Sequence, residues 1–169
     1  MKLITEEVQQ VKFITEGTGS QKRMFIEGIF LQGNVSNRNR RRYKTETLAR
    51  EVKRYNEAFI QKGRALGELG HPDGPTVNLD RVSHKIVSLE QKGDNFIGKA
   101  QLLETPMGKI AKSLIGEGVT LGVSSRGVGS LIPTNEGYSI VGEDFMLATA
   151  ADIVADPSAP DAFVQGIRS

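Results

Sequence analysis

Two adjacent serines, Ser124 and Ser125, stand between the apolar run VTLGV and the glycines of RGVG. A serine hydroxyl attacks a carbonyl only when a base lies within hydrogen-bond reach and a third group orients that base. His71, in the Gly- and Pro-rich stretch GELGHPDG, titrates near neutral pH and could be that base. Asp152 lies in ATAADIVAD, an acid among small apolar residues, where a charge is costly unless paired. Nucleophile, base and orienting acid together make an acyl-transfer site. Arg126 could offer charge, and the backbone from Ser125 through Arg126 to Gly127 could offer N–H donors, to an oxyanion. The glycines would admit a substrate backbone at close range. Each residue taken alone also has an ordinary reading. These are a strand running into a turn, a hydrogen-bonded loop histidine and a strand-edge acid. The G-V-S-S-R order lacks the last glycine of a G-x-S-x-G elbow. His84, within RVSHKIV, reads as a partly buried structural histidine.

These residues need elements to hold them. Consecutive side chains of a strand point to opposite faces, so only one of Ser124 and Ser125 can face a base. VTLGVSSRGVGSLI, GYSIV and FMLATAADIVA read as strands, as does MFIEGIFLQGNV. RVSHKIVSLEQKGDNFIGKAQLL reads as a hairpin about KGDN. Leu48, Val52, Tyr55 and Phe59 share one face of a helix that Gly63 stops. A second helix starts at Thr105 as N-cap with Pro106 at its first position, and Met107, Ile110 and Leu114 share a face. The stretch 64–80 holds too many glycines and prolines for regular structure. Consecutive strands, short turns and two helices predict an α+β domain, mostly antiparallel, with helices outside a sheet or barrel.

The bulk composition narrows the function. The chain has 169 residues, and its Lys+Arg 22 against Asp+Glu 20 leaves only +2, too little for a protein built mainly to grip phosphates. The basic run NRNRRRY could contact nucleic acid, but a solvated basic loop explains it equally well. With Cys 0, disulfides and thiolate sites are excluded, and with His 2 a histidine-rich metal site is not expected. No metal or cofactor is expected, although carboxylate sites stay open. No apolar run approaches a membrane span, and no membrane partner is expected.

The segments FIEGIFLQGNVSNRNRRRY, ALGELGHP, GVSSRGVGS with NEGY, and D…DPSAPDAF, in that order from about Phe25 to Phe163, resemble the prohead core proteases of T-even-type tailed phages. The resemblance implies a serine endopeptidase with the fold of the herpesvirus assemblin, a β-barrel surrounded by helices. It implies that scaffold and other head proteins, and the enzyme itself, are cut inside the procapsid in the host cytoplasm. His71 and Ser124 match the family's base and nucleophile. Asp152 occupies the place of an acid that stands before the closing Pro-rich motif. The resemblance also implies glutamate on the acyl side of the cut, with Arg126 and the arginine loop as candidate cations. The chain reads as a single domain, 1–169, with about 1–20 an N-terminal extension and a C-terminus that is truncated or self-processed. A homo-oligomer is compatible with this reading. A non-enzymatic scaffold or tube-forming relative on the same barrel, or a nucleic-acid-binding module using 36–43, are the alternatives. The first would need neither His71 nor Ser124.

Overall fold

Strict alternation marks one core-facing strand. In Asn95–Leu102 the buried Phe96, Ala100 and Leu102 alternate with partly exposed neighbours, giving one face to the core and one to solvent. The computed structural model describes residues 1–8, 11–37, 39–70 and 74–155. Within them the chain forms β1 (Lys2–Val8), β2 (Val11–Glu16), β3 (Arg23–Gln32), β4 (Arg41–Arg42), α1 (Thr45–Tyr55), β5 (Leu66–Glu68), β6 (Val82–Lys92), β7 (Asn95–Leu102), α2 (Pro106–Gly116), β8 (Leu121–Gly129), β9 (Leu131–Pro133), β10 (Ser139–Val141) and β11 (Met146–Ala155). The class is α+β and mostly antiparallel.

A five-stranded sheet runs β2-β3-β7-β6-β5, and a three-stranded sheet runs β1-β8-β11. A small third sheet runs β4-β10-β9. The two larger sheets meet edge to edge at a seam between β5 and β11. There Leu69 forms an isolated parallel bridge to Ile153, and the Gly70 N–H donates to the Ile153 carbonyl at 2.7 Å. Among the described residues the strands thus form three sheets and not one hydrogen-bonded cylinder. β5 is only three residues long, and Gly70 leaves it at φ 93°, a left-handed turn that glycine adopts freely.

The first sixteen residues, expected as an extension, supply two strands of these sheets. β1 pairs along β8 from Lys2↔Gly129 to Val8↔Val123, and β2 pairs with β3. Ile4 is buried in the core and Glu6 lies beneath it on the same face. A glutamate at a core position concealed the period-2 pattern of KLITEEV.

Helix α1 buries Leu48, Val52 and Tyr55, as their spacing predicts, while Phe59 packs on a wider turn over Asn56–Ile60. Its polar face covers the start of β11 and the turn before it. Arg50 donates to the carbonyls of Glu143 and Phe145, and Arg54 donates to that of Leu147. Glu51 Oε1 accepts the Leu147 N–H at 2.9 Å. Side chains so satisfy backbone groups that would otherwise invite another strand. Helix α2 begins as expected, with Thr105 Oγ1 accepting the Gly108 N–H at 3.0 Å. Its packed stripe differs, however. Gly108 and Ala111 are buried and Ile115 packs on the core, while Ile110 is exposed. A Cβ on Gly108 would stand 2.0 Å from the Leu103 carbonyl, so close approach and not bulk selects this face. Among the described residues no helix is long and apolar enough to cross a membrane.

Candidate active site

β8 is the central strand of its sheet, and its register sorts the two serines. Ser124 lies opposite Asp152 on β11, and Arg126 lies opposite Thr149. Three steps on β11 match two on β8, so β11 carries a bulge facing Ser125. Bulges re-aim side chains and recur beside active sites. Cross-strand partners and residues two apart share a face, which puts Ser124, Arg126 and Asp152 together. Ser125 points the other way, opposite Glu6 of β1. Gly127 sits where a Cβ would meet the Phe145 ring at 2.4 Å, a packing site on that second face.

Arg126 is the hub. Its side chain is fully buried, 0% exposed, and a buried cation persists only when paired and hydrogen-bonded. Nε donates to Asp152 Oδ2 at 2.6 Å, and Nη2 donates to Asp152 Oδ1 and Glu68 Oε2, each at 3.1 Å. Nη1 donates to the carbonyls of Gly74 at 2.8 Å and Thr76 at 3.1 Å. These bonds occupy all five N–H groups of a guanidinium. Arg126 was expected as an oxyanion donor or a cation for an acidic substrate; instead its donors are engaged inside the protein. Asp152 Oδ1 also accepts the Glu68 N–H at 2.9 Å. Burial pushes the Asp152 carboxyl above its usual range, against the pull of Arg126 and the Glu68 amide.

Glu68 was not singled out from the sequence. It is fully buried on β5 and accepts from Arg126, from the Asn78 N–H at 3.1 Å, and faces Arg81 Nε at 3.4 Å. The available signal was charge placement. GELG, SSRG and AADI each bury one ionisable residue in a run of small or apolar ones, and such residues must find each other.

His71 lies outside the described residues, but the chain on both sides of it is tied to this cluster. Before it, Gly70 is bonded to Ile153, the residue after Asp152, and the Leu69 carbonyl accepts from Arg81 Nη2 at 2.5 Å. After it, Gly74 and Thr76 hang from Arg126. Ser124 Oγ is buried on the same face and has no hydrogen-bond partner among the described residues. A buried hydroxyl without a partner is a costly exception in a folded protein and calls for an explanation.

His84 is fully buried, more so than its reading as a partly buried structural residue. Its Nε2 contacts the Ala151 carbonyl and its Nδ1 contacts Ser83 Oγ, both at 2.7 Å. Burial pushes its pKa down to about 4, so the ring is neutral, with Nε2–H donating and Nδ1 accepting. The ring lies against Gly67, where a Cβ would come within 2.1 Å of Nε2.

Part of the basic run is also engaged within the fold. Arg41 pairs with Glu6, whose Oε1 also accepts the Tyr43 hydroxyl at 2.9 Å and whose Oε2 accepts from Asn39. Arg42 lies 4.3 Å above the Tyr138 ring centroid. The run thus anchors β1 and the small sheet.

A model of the family described as prohead core protein serine protease matches residues 6–168. The prohead core protein protease of Enterobacteria phage T4 is 45% identical over 152 residues, covering 86% of this chain and 70% of that protein. The solved structure of the bacteriophage T4 capsid assembly protease, gp21, superposes with a TM-score of 0.87 at 37% identity, covering 92% of this chain and 98% of that one. A match along nearly the whole chain, in sequence and in fold, leads to one conclusion: the chain belongs to the prohead core protein serine protease family and is a protease of phage head maturation.

Proposed function

We propose that the chain is a serine endopeptidase with Ser124 as nucleophile, His71 as general base and Asp152 as the acid that orients it. The observation that carries this reading is the buried Ser124 Oγ, without a partner among the described residues and directly across the ladder from Asp152, with Gly70 bonded to Ile153 and Gly74 to Arg126 on either side of His71. Asp152 keeps room for the role. Oδ1 accepts two hydrogen bonds and Oδ2 one, and a carboxylate oxygen takes about two. Among the described residues one acceptor position on Oδ2 is thus left for an imidazole N–H. His71 would take the proton of Ser124 as the hydroxyl attacks the scissile carbonyl, and Asp152 would stabilise the imidazolium. We assign the oxyanion to the backbone about Ser125, where the β11 bulge interrupts the ladder.

The substrates in this reading are scaffold and other head proteins, and the chain itself, inside the procapsid. The two larger sheets, joined at the seam that holds the site, are taken as a variant of the assemblin barrel. The test is cleavage of a co-expressed scaffold protein, together with covalent labelling by a serine-directed phosphonate. Ser124→Ala should abolish both, on the scale of about 10⁶-fold known for a triad serine, while Ser125→Ala should keep both. Normal processing by Ser124→Ala would overturn the assignment.

A further inference from the structure

We propose that Arg126 is a positioning residue of this protease, setting the distance across the seam between the strand that carries Ser124 and the elements that face it. The proposal rests on the reading of Ser124 as nucleophile. Its basis is the way the seam is held. Among the described residues, backbone hydrogen bonding across it reduces to the Leu69–Ile153 bridge, to which the Gly70 amide belongs. Side-chain links add to it: the Glu68 N–H donates to Asp152, His84 Nε2 donates to the Ala151 carbonyl, and Arg126 donates to Glu68 and to the carbonyls of Gly74 and Thr76. From one position, two residues along β8 from Ser124, its fork reaches Asp152 on β11, Glu68 on β5, and the carbonyls of Gly74 and Thr76.

The residue type matters. A guanidinium is a planar fork whose five donors point in fixed directions, so it defines relative positions in space. An ammonium is a point charge with three rotatable donors. Lysine at this position would keep the charge that Glu68 and Asp152 require, but it could not hold both carboxylates and two carbonyls at once. The seam would then relax by a fraction of an ångström to an ångström while the apolar core stayed intact. Displacements near 1 Å cost about a hundredfold in reactions that depend on alignment. Arg126 is not itself in contact with substrate, because it is buried and its donors are engaged.

The experiment uses the full chain and a serine-directed phosphonate, measuring the maximal labelling rate and the half-saturating concentration separately. Arg126→Lys should unfold as a single cooperative transition, yet label about a hundredfold more slowly at saturation with an unchanged half-saturating concentration. General destabilisation does not produce that split in a protein that remains folded. Glu68→Gln provides a second arm if Arg126→Lys does not fold. It keeps the acceptor but removes the charge, and its maximal rate should fall about tenfold. A folded Arg126→Lys or Glu68→Gln protein labelling at the wild-type rate would overturn the proposal. Failure of the underlying reading looks different: Ser124→Ala would label as fast as the wild type.

Discussion

Acid should destabilise this protein through His84. The imidazole is completely buried and its pKa is pushed from 6.5 to about 4, by burial first, with the bond to the Ala151 carbonyl opposing. The unfolded chain takes up the proton near 6.5, while the native state refuses it until about 4. Between those values the unfolded state binds more protons, so stability falls as pH falls. The contribution is fully present above 6.5 and is lost progressively toward 4. At about 1.4 kcal/mol per unit, the loss is about 3 kcal/mol in total and about 2 kcal/mol by pH 5. That is a large share of the roughly 5–15 kcal/mol by which domains are stable. The assay is urea unfolding at steps from pH 7.5 to 4 for the wild type and His84→Gln, whose amide can still donate to the Ala151 carbonyl. Their difference isolates His84 from Glu51 and Asp152, which titrate in both proteins. The gap between the two curves should change by about 3 kcal/mol across the window. Parallel curves would refute the reasoning, as would an NMR titration placing the His84 pKa above 6.

Gly67→Ala should destabilise by at least about 1–3 kcal/mol, read by thermal unfolding, because its Cβ would lie 2.1 Å from His84 Nε2 and 2.3 Å from the Ala151 carbonyl. Gly116→Ala should do the opposite and stabilise by about 0.4–1 kcal/mol, since that site in α2 has open space and an ordinary φ. Burial pushes the Glu51 carboxyl up, but hydrogen bonds from Arg54, the Leu147 amide and Arg50 outweigh it and hold the carboxyl below its usual range. Glu51→Gln should therefore cost about 1–3 kcal/mol near neutral pH and progressively less as acid titrates the wild-type carboxylate. Tyr43→Phe removes the hydroxyl that donates to Glu6 at 2.9 Å and should cost about 1 kcal/mol, with faster hydrogen exchange in β1.

Much of this protein follows from local pattern. The β6–β7 hairpin, α1 with its apolar stripe, the Thr105 cap and the long β8 and β11 strands are each written in a few consecutive residues. Their signals of period, cap and turn act over one or two turns of chain. The opposition of Ser124 and Ser125 also follows, because it needs only the alternation of a strand. The choice between them does not, because it depends on what lies across the ladder, and register is a long-range property. Asp152 is 28 residues beyond Ser124 in sequence and meets it only through the β8–β11 pairing. β1 escaped the local reading because Glu6 occupies an inward position that Arg41, Tyr43 and Asn39 make tenable from some 35 residues away. The same holds for Arg126. As one residue in a sequence it is a free cation available to a substrate. Burial removes it from water and obliges it to take every acceptor within reach, and only the folded seam supplies Glu68, Asp152, Gly74 and Thr76 together. Sequence determined which residues could perform the chemistry. Tertiary structure decided which face the hydroxyl takes and which charges are already engaged, because pairing and burial are set by residues that are neighbours only in space.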